Sequence, residues 1–112
     1  MTLDALREFG ANTAEGMERC LNDESFYLEM VAMALGDASF EKLKSAMDAG
    51  DVRGAFAAAH SLKGSVGNLA LTPIYEPVCA LTELLRGADA PVEGADTLAE
   101  QIMAAREKAL SL

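Results

Sequence analysis

The chain has 112 residues, 51% hydrophobic and only 5% aromatic, and its nine Lys plus Arg against eighteen Asp plus Glu give a net charge of −9. That length holds one packed core and leaves no room for a separate catalytic domain. The acidic balance excludes a basic nucleic-acid-binding face and docking on anionic lipid, and the apolar fraction excludes a disordered chain.

Ala, Leu, Met, Glu and Lys dominate, β-branched residues are few, and no stretch alternates with period two, so the expectation is helix throughout. A short helix is predicted from about Thr2 to Phe9, with Gly10 at its end. A second spans about Ala14 to Leu21 and stops at Asn22-Asp23, which also caps the third. Phe26, Tyr27, Met30, Val31, Ala34 and Leu35 then keep helical spacing up to Gly36, and Asp37 caps a fourth helix. Phe40, Leu43 and Met47 form its stripe, ended at Ala49-Gly50. Asp51 caps the longest helix, on which Val52, Phe56, Ala59, Leu62, Val66 and Leu69 step by three or four. Thr72-Pro73 reads as cap and first helical residue. Ile74, Val78, Leu81 and Leu85 follow, with Pro77 removing a backbone donor about one turn in. After a loop from Gly87 to Pro91, Leu98, Ile102, Ala105 and Ala109 mark the last inner face.

Amphipathic helices joined by short loops bury their stripes against one another. The predicted fold is all-α: an antiparallel four-helix bundle over about 23–110 in one domain, with extra short N-terminal helical segments over about 1–22 lying across one end. Its four members are 24–35 with the continuation 38–49, then 52–71, 73–86 and 94–110. The longest apolar runs, Val31 to Leu35 and Ala55 to Ala59, fall far short of the ~20 residues a membrane helix needs. Met1-Thr2-Leu3-Asp4 shows no secretory pattern, and Cys20 and Cys79 form no metal or CxxC spacing. The expectation is a cytoplasmic, monomeric protein with reduced thiols. The six Met residues read as core filling, although Met17 or Met103 could face a partner.

His60 is the only histidine. At 100° per residue it points roughly 120° away from the stripe centred near Ala59 and Val66, toward solvent. Lys63 and Gly64 lie one turn on, about 60° and 40° to either side of it. A solvated imidazole is partly neutral and nucleophilic near neutral pH. An ammonium one turn away offsets phosphoryl charge, and a glycine leaves an open patch. Each glycine inside a helix costs roughly 1 kcal/mol against alanine, and this helix has both Gly64 and Gly67. Close approach by another body explains such a cost; for Gly67, helix packing explains it equally well.

The run His60-Ser61-Leu62-Lys63-Gly64-Ser65-Val66-Gly67-Asn68-Leu69 resembles the phosphoacceptor motif of histidine-containing phosphotransfer (HPt) domains, His-x-Leu-Lys-Gly followed by a small residue and Gly. Leu71, Cys79-Ala80-Leu81, Glu83 and Arg86 extend the resemblance over about residues 57–86. It implies a phosphocarrier without kinase activity of its own. His60 would take a phosphoryl group at Nε2 from the aspartate of a response-regulator receiver domain and pass one on. Lys63 would steady the group, while Gly64 and Gly67 would give clearance and docking room. It also implies that no cofactor or metal is bound by this chain, that Mg²⁺ sits on the receiver, and that partners are receiver domains or a hybrid histidine kinase. Thr82 departs from the pattern, standing where an acidic residue is ordinary. Other chemistries lack their residues: there is no Glu-x-x-His, no Cys cluster, and no glycines ahead of Lys63 to make a phosphate loop. A rival function is a helical adaptor or inhibitor that docks on a receiver without carrying phosphate.

Overall fold

Four side chains start helices by accepting a backbone N–H three residues on. Thr2 takes that of Ala5, Asn12 that of Glu15, Asp23 that of Phe26 and Asp51 that of Gly54, at 3.0–3.2 Å. Each satisfies a donor that the first helical turn would leave unpaired. The structure, a computed structural model, describes all 112 residues. Its helices are α1 (Leu3–Phe9), α2 (Thr13–Arg19), α3 (Glu24–Leu35), α4 (Ser39–Ala49), α5 (Val52–Asn68), α6 (Thr72–Leu85) and α7 (Ala95–Leu110), with no strand.

Four helix ends share one geometry. After α1, α2, α4 and α5 a residue turns left-handed, and two backbone N–H groups reach back over the last turn. At Gly10 and Gly50 glycine takes this conformation without a Cβ clash. After α2 and α5 the same place is held by Leu21 (φ +59°) and Ala70 (φ +57°). Leu71 donates to the Val66 carbonyl and Ala70 to that of Gly67, which ends α5 three residues before the expected 71. Asn22 and Leu21 do likewise to Met17 and Glu18, ending α2 at Arg19.

The expected bundle forms from α4, α5, α6 and α7. The seams α4/α5, α5/α6 and α6/α7 are extensive, while α4 and α7 barely meet. Helix α3 precedes α4 across a short turn and touches α5 and α7. Leu43, Ala59, Leu62, Val66, Ile74, Val78, Leu81 and Ile102 are inaccessible to solvent and form the centre of one core. At one end, α1 and α2 cover the junction of α5 and α6. Asn12 N–H donates to the Ala70 carbonyl. The buried Tyr27 hydroxyl donates to that of Leu69 at 3.0 Å. Burial first, and then Cys20, raise the Tyr27 pKa, so the phenol stays a neutral donor. Its ring lies where a side chain on Gly16 would be.

Several expectations are corrected. Phe26 and Met33 face solvent, 41% and 69% exposed, because α3 is packed along one side only; Met33 therefore fills no core. Thr72 is the first helical residue and Leu71 the cap. Helix α6 runs through Pro77 without ending. Thr82 is fully buried, its hydroxyl donating to the Val78 carbonyl at 2.7 Å, so it belongs to the core. Both cysteines are free thiols, as expected.

Leu21 is 86% exposed, so its side chain contributes little that would be lost. Leu21→Gly is expected to raise stability by about 1 kcal/mol through relief of the left-handed strain, roughly 4 °C in Tm. Thermal unfolding monitored by circular dichroism reads it; an unchanged or lower Tm contradicts it.

Candidate functional site

His60 sits near the middle of α5 and is exposed. The α5 residues that face the core are Val52, Ala55, Ala58, Ala59, Leu62 and Val66. They turn the other side of the helix outward. His60, Lys63, Gly64, Gly67 and Asn68 line one shallow, open depression together with Arg19 from α2 and Tyr75 from α6. The structure therefore brings the four motif residues named from sequence to one face, and adds two that the motif does not contain.

The imidazole lies beside the Phe56 ring one turn earlier, with centroids 5.9 Å apart and planes at 38°. The Arg86 guanidinium lies 5.3 Å above the far partner of that stack, the Phe56 ring, within cation–π range. Arg86 is held in turn by a two-pronged pair with Glu83, at 3.0 and 3.3 Å. The Arg86 hydrogen bond, then its charge, and more weakly the charge of Lys63 hold Glu83 below the usual carboxylate range. Phe56 was legible as part of a stripe, but its role as the surface on which His60 and Arg86 both rest depends on α6 returning alongside.

Arg19 and Lys63 line the depression with the histidine and Arg86 covers the neighbouring Phe56 ring; both arginines are already engaged. Arg19 donates to the Gly67 and Asn68 carbonyls at 2.7 and 3.2 Å and pairs with Glu15, so it caps the last carbonyls of α5. Arg86 is bound to Glu83. Lys63 forms no ion pair, and its ammonium is the one not yet committed. No three His, Cys, Asp and Glu side chains gather as metal ligands.

The two serines of the motif point elsewhere. Ser61 accepts from the Ser39 hydroxyl at 3.2 Å, and Ser65 donates to Asp37 at 3.2 Å. Asp37 also accepts the Ser39 N–H at 2.8 Å, so it caps α4 although Ala38 holds the cap position of the backbone. Sequence suggested the cap; the tie to α5 is an addition that only the packing reveals. The Ser39 N–H is the largest cause lowering the Asp37 pKa, followed among lowering causes by the hydroxyls of Ser39 and Ser65 and by Lys42, against burial.

The two glycines differ. A Cβ on Gly64 would meet nothing within 4 Å, whereas one on Gly67 would come 2.6 Å from the Tyr75 ring. The clearance at Gly67 is thus occupied by α6, and the open space beside His60 belongs to Gly64.

Comparison with family models gives a match to the Hpt domain over residues 27–109. The chain belongs to the Hpt domain family, whose members are helical phosphotransfer modules of two-component systems. Comparison with curated proteins and with solved structures gave no match. The matched span starts at Tyr27, so α1, α2 and the Arg19 contact lie outside it.

Gly64→Ala and Gly67→Ala share one helix and one gain in propensity, roughly 1 kcal/mol. Only the second must displace Tyr75, so chemical denaturation should find Gly64→Ala the more stable by about 1 kcal/mol; equal stabilities would contradict the Tyr75 contact. Asp37 makes stability depend on pH. A folded pKa below the unfolded one gives a contribution complete above the ordinary carboxylate range and lost as pH falls through the lowered value. Asp37→Ala should therefore cost about 1 kcal/mol at neutral pH, and its stability curve should converge with wild type as pH falls through the lowered Asp37 value.

Proposed function

We propose that this chain is a histidine phosphocarrier, with His60 exchanging a phosphoryl group with the aspartate of response-regulator receiver domains. The observation that carries the reading is the exposed imidazole between an uncommitted ammonium, Lys63, and an open helical glycine, Gly64. An imidazole in that setting is accessible in line with an incoming phosphorus atom. The Nε2 lone pair forms the N–P bond as the P–O bond to the aspartyl carboxylate breaks, and the carboxylate leaves with the electron pair. Lys63 offsets the charge spread over the equatorial oxygens, an effect that grows when docking excludes water.

Phe56 lies against one side of the imidazole and is itself covered by Arg86 of the Glu83–Arg86 pair, which lowers the rotamer freedom lost on docking. Mg²⁺ and the residues that bind it belong to the receiver in this reading, and the chain itself brings no cofactor. Partners are receiver domains or a hybrid histidine kinase; the carrier works as a monomer in the cytoplasm and runs no kinase reaction.

The test is incubation with phosphorylated receiver domains and Mg²⁺. Label should move to this chain in an acid-labile, base-stable form, and His60→Gln should abolish it while leaving the melting curve unchanged. Lys63→Ala should slow transfer with a stability change of at most about 1 kcal/mol, since a half-buried lysine without an ion pair adds little to folding. Gly64→Leu should melt normally and transfer slowly, because the added atoms stand beside the imidazole. Undiminished label on His60→Gln overturns the assignment. A receiver that binds without leaving label would instead identify an adaptor.

A further inference from the structure

The bundle is closed on three seams and open on the fourth. Arg106 of α7 fastens the α4/α7 seam at its upper end, donating to the Leu35 carbonyl at 2.9 Å and to Glu41 at 3.0 Å and stacking 4.7 Å from the Phe40 ring. Below that clasp the two helices part and leave a groove. Its floor is apolar: Leu43 and Ala99 are buried, and Met47 and Met103 are half-buried. Its rim is acidic, with Asp48, Asp96, Glu100 and Glu107 exposed against a single Lys44. At the lower end the groove runs into a hollow floored by Leu85, Val92 and Ala95, where Asp51 adds a further carboxylate.

We propose that this groove is a docking site for a basic amphipathic helix of a partner protein. Size and charge select that occupant. From Asp96 to Glu107 the α7 wall runs about three turns, ~16 Å, the length over which a helix presents apolar anchors at i, i+3 or i+4, and i+7. The two Met side chains, unbranched and polarizable, reshape around such anchors. Lys or Arg flanking them would meet carboxylates on both walls. A second copy of this chain is a poor occupant. Its net charge of −9 and its own acidic rim would place carboxylate against carboxylate. In the helix order α4–α5–α6–α7 the groove lies across the bundle from the α5/α6 face that carries His60. A helix seated there leaves the histidine free, so a tethered partner and a second protein at His60 fit at once. The groove does not depend on phosphotransfer by His60.

The experiment uses the full chain and a fluorescein-labelled synthetic leucine–lysine helix of about four turns, with a leucine–glutamate counterpart as control. Fluorescence anisotropy should show saturable binding of the lysine peptide only. Amide shifts in nuclear magnetic resonance should concentrate at residues 43–48 and 96–107. Glu100→Lys with Glu107→Lys should weaken binding about tenfold or more, whereas Glu18→Lys with Glu29→Lys, an equal charge change on exposed residues elsewhere, should weaken it only about twofold. Equal weakening by both pairs would reduce the effect to net charge and overturn the proposal. So would shifts centred on another face, no binding, or sedimentation showing self-association through residues 43–48 and 96–107.

Discussion

The packing of α5 on two sides at once is the constraint from which the site follows. A helix packed along one side buries a narrow stripe, and one enclosed on every side is buried all round. Helix α5 lies between α4 and α6, so its Ala55, Ala58, Ala59, Leu62 and Val66 are buried and the opposite strip is open. Alanines dominate the buried part and allow close helix approach. With both grips fixed, the rotation of α5 about its own axis is fixed too. Turning it by one residue, about 100°, would bury an imidazole and expose a leucine.

That rotation is secured by polar contacts at both flanks. On the α4 side, Asp37, Ser39, Ser61 and Ser65 link the start of α4 to the middle of α5. At the α5 terminus, Arg19 and Tyr27 reach the carbonyls of Gly67, Asn68 and Leu69. The Asn68 and Leu69 carbonyls would otherwise lack intrahelical partners, while that of Gly67 also accepts the Ala70 N–H. The N-terminal helices thus act on the site through the end of α5. Gly16 takes part at a distance, since only an absent side chain lets the Tyr27 ring lie against α2.

Where a local rule sufficed, the sequence could be read. Asp23 and Asp51 placed the starts of α3 and α5, Gly10 and Gly50 marked ends, and the stripes of α4, α5 and α6 reported their buried faces. The site was legible to the extent that it lies on one helix: His60, Lys63, Gly64 and Gly67 share a face by angle alone. What remained hidden depends on a second element. Leu21 and Ala70 carry no glycine signal, so nothing local announces the left-handed turns they make. Phe26 and Met33 continue the spacing of α3 but have nothing to pack on. Thr82 looks polar in a sequence and is satisfied inside the core by its own helix. Gly64 and Gly67 are indistinguishable until α6 brings Tyr75 to one of them.

Charge is distributed on the same plan. The chain is strongly acidic, yet three of its nine basic residues lie on this face: Arg19 and Lys63 line the His60 depression and Arg86 covers the Phe56 ring beside it. Glu15 and Glu83 neutralise two of them while fixing their positions. One unpaired positive charge is therefore left beside the imidazole, on a molecule whose far field is negative. A partner with a uniformly negative surface would be repelled at long range and held only at this spot. One that combines a phosphoryl group with a neutral or basic rim meets no such barrier. The same far field draws basic segments toward the α4/α7 seam, where carboxylates outnumber lysine. Selectivity between the two faces thus arises from the sign of the charge each presents, before any side chain makes contact.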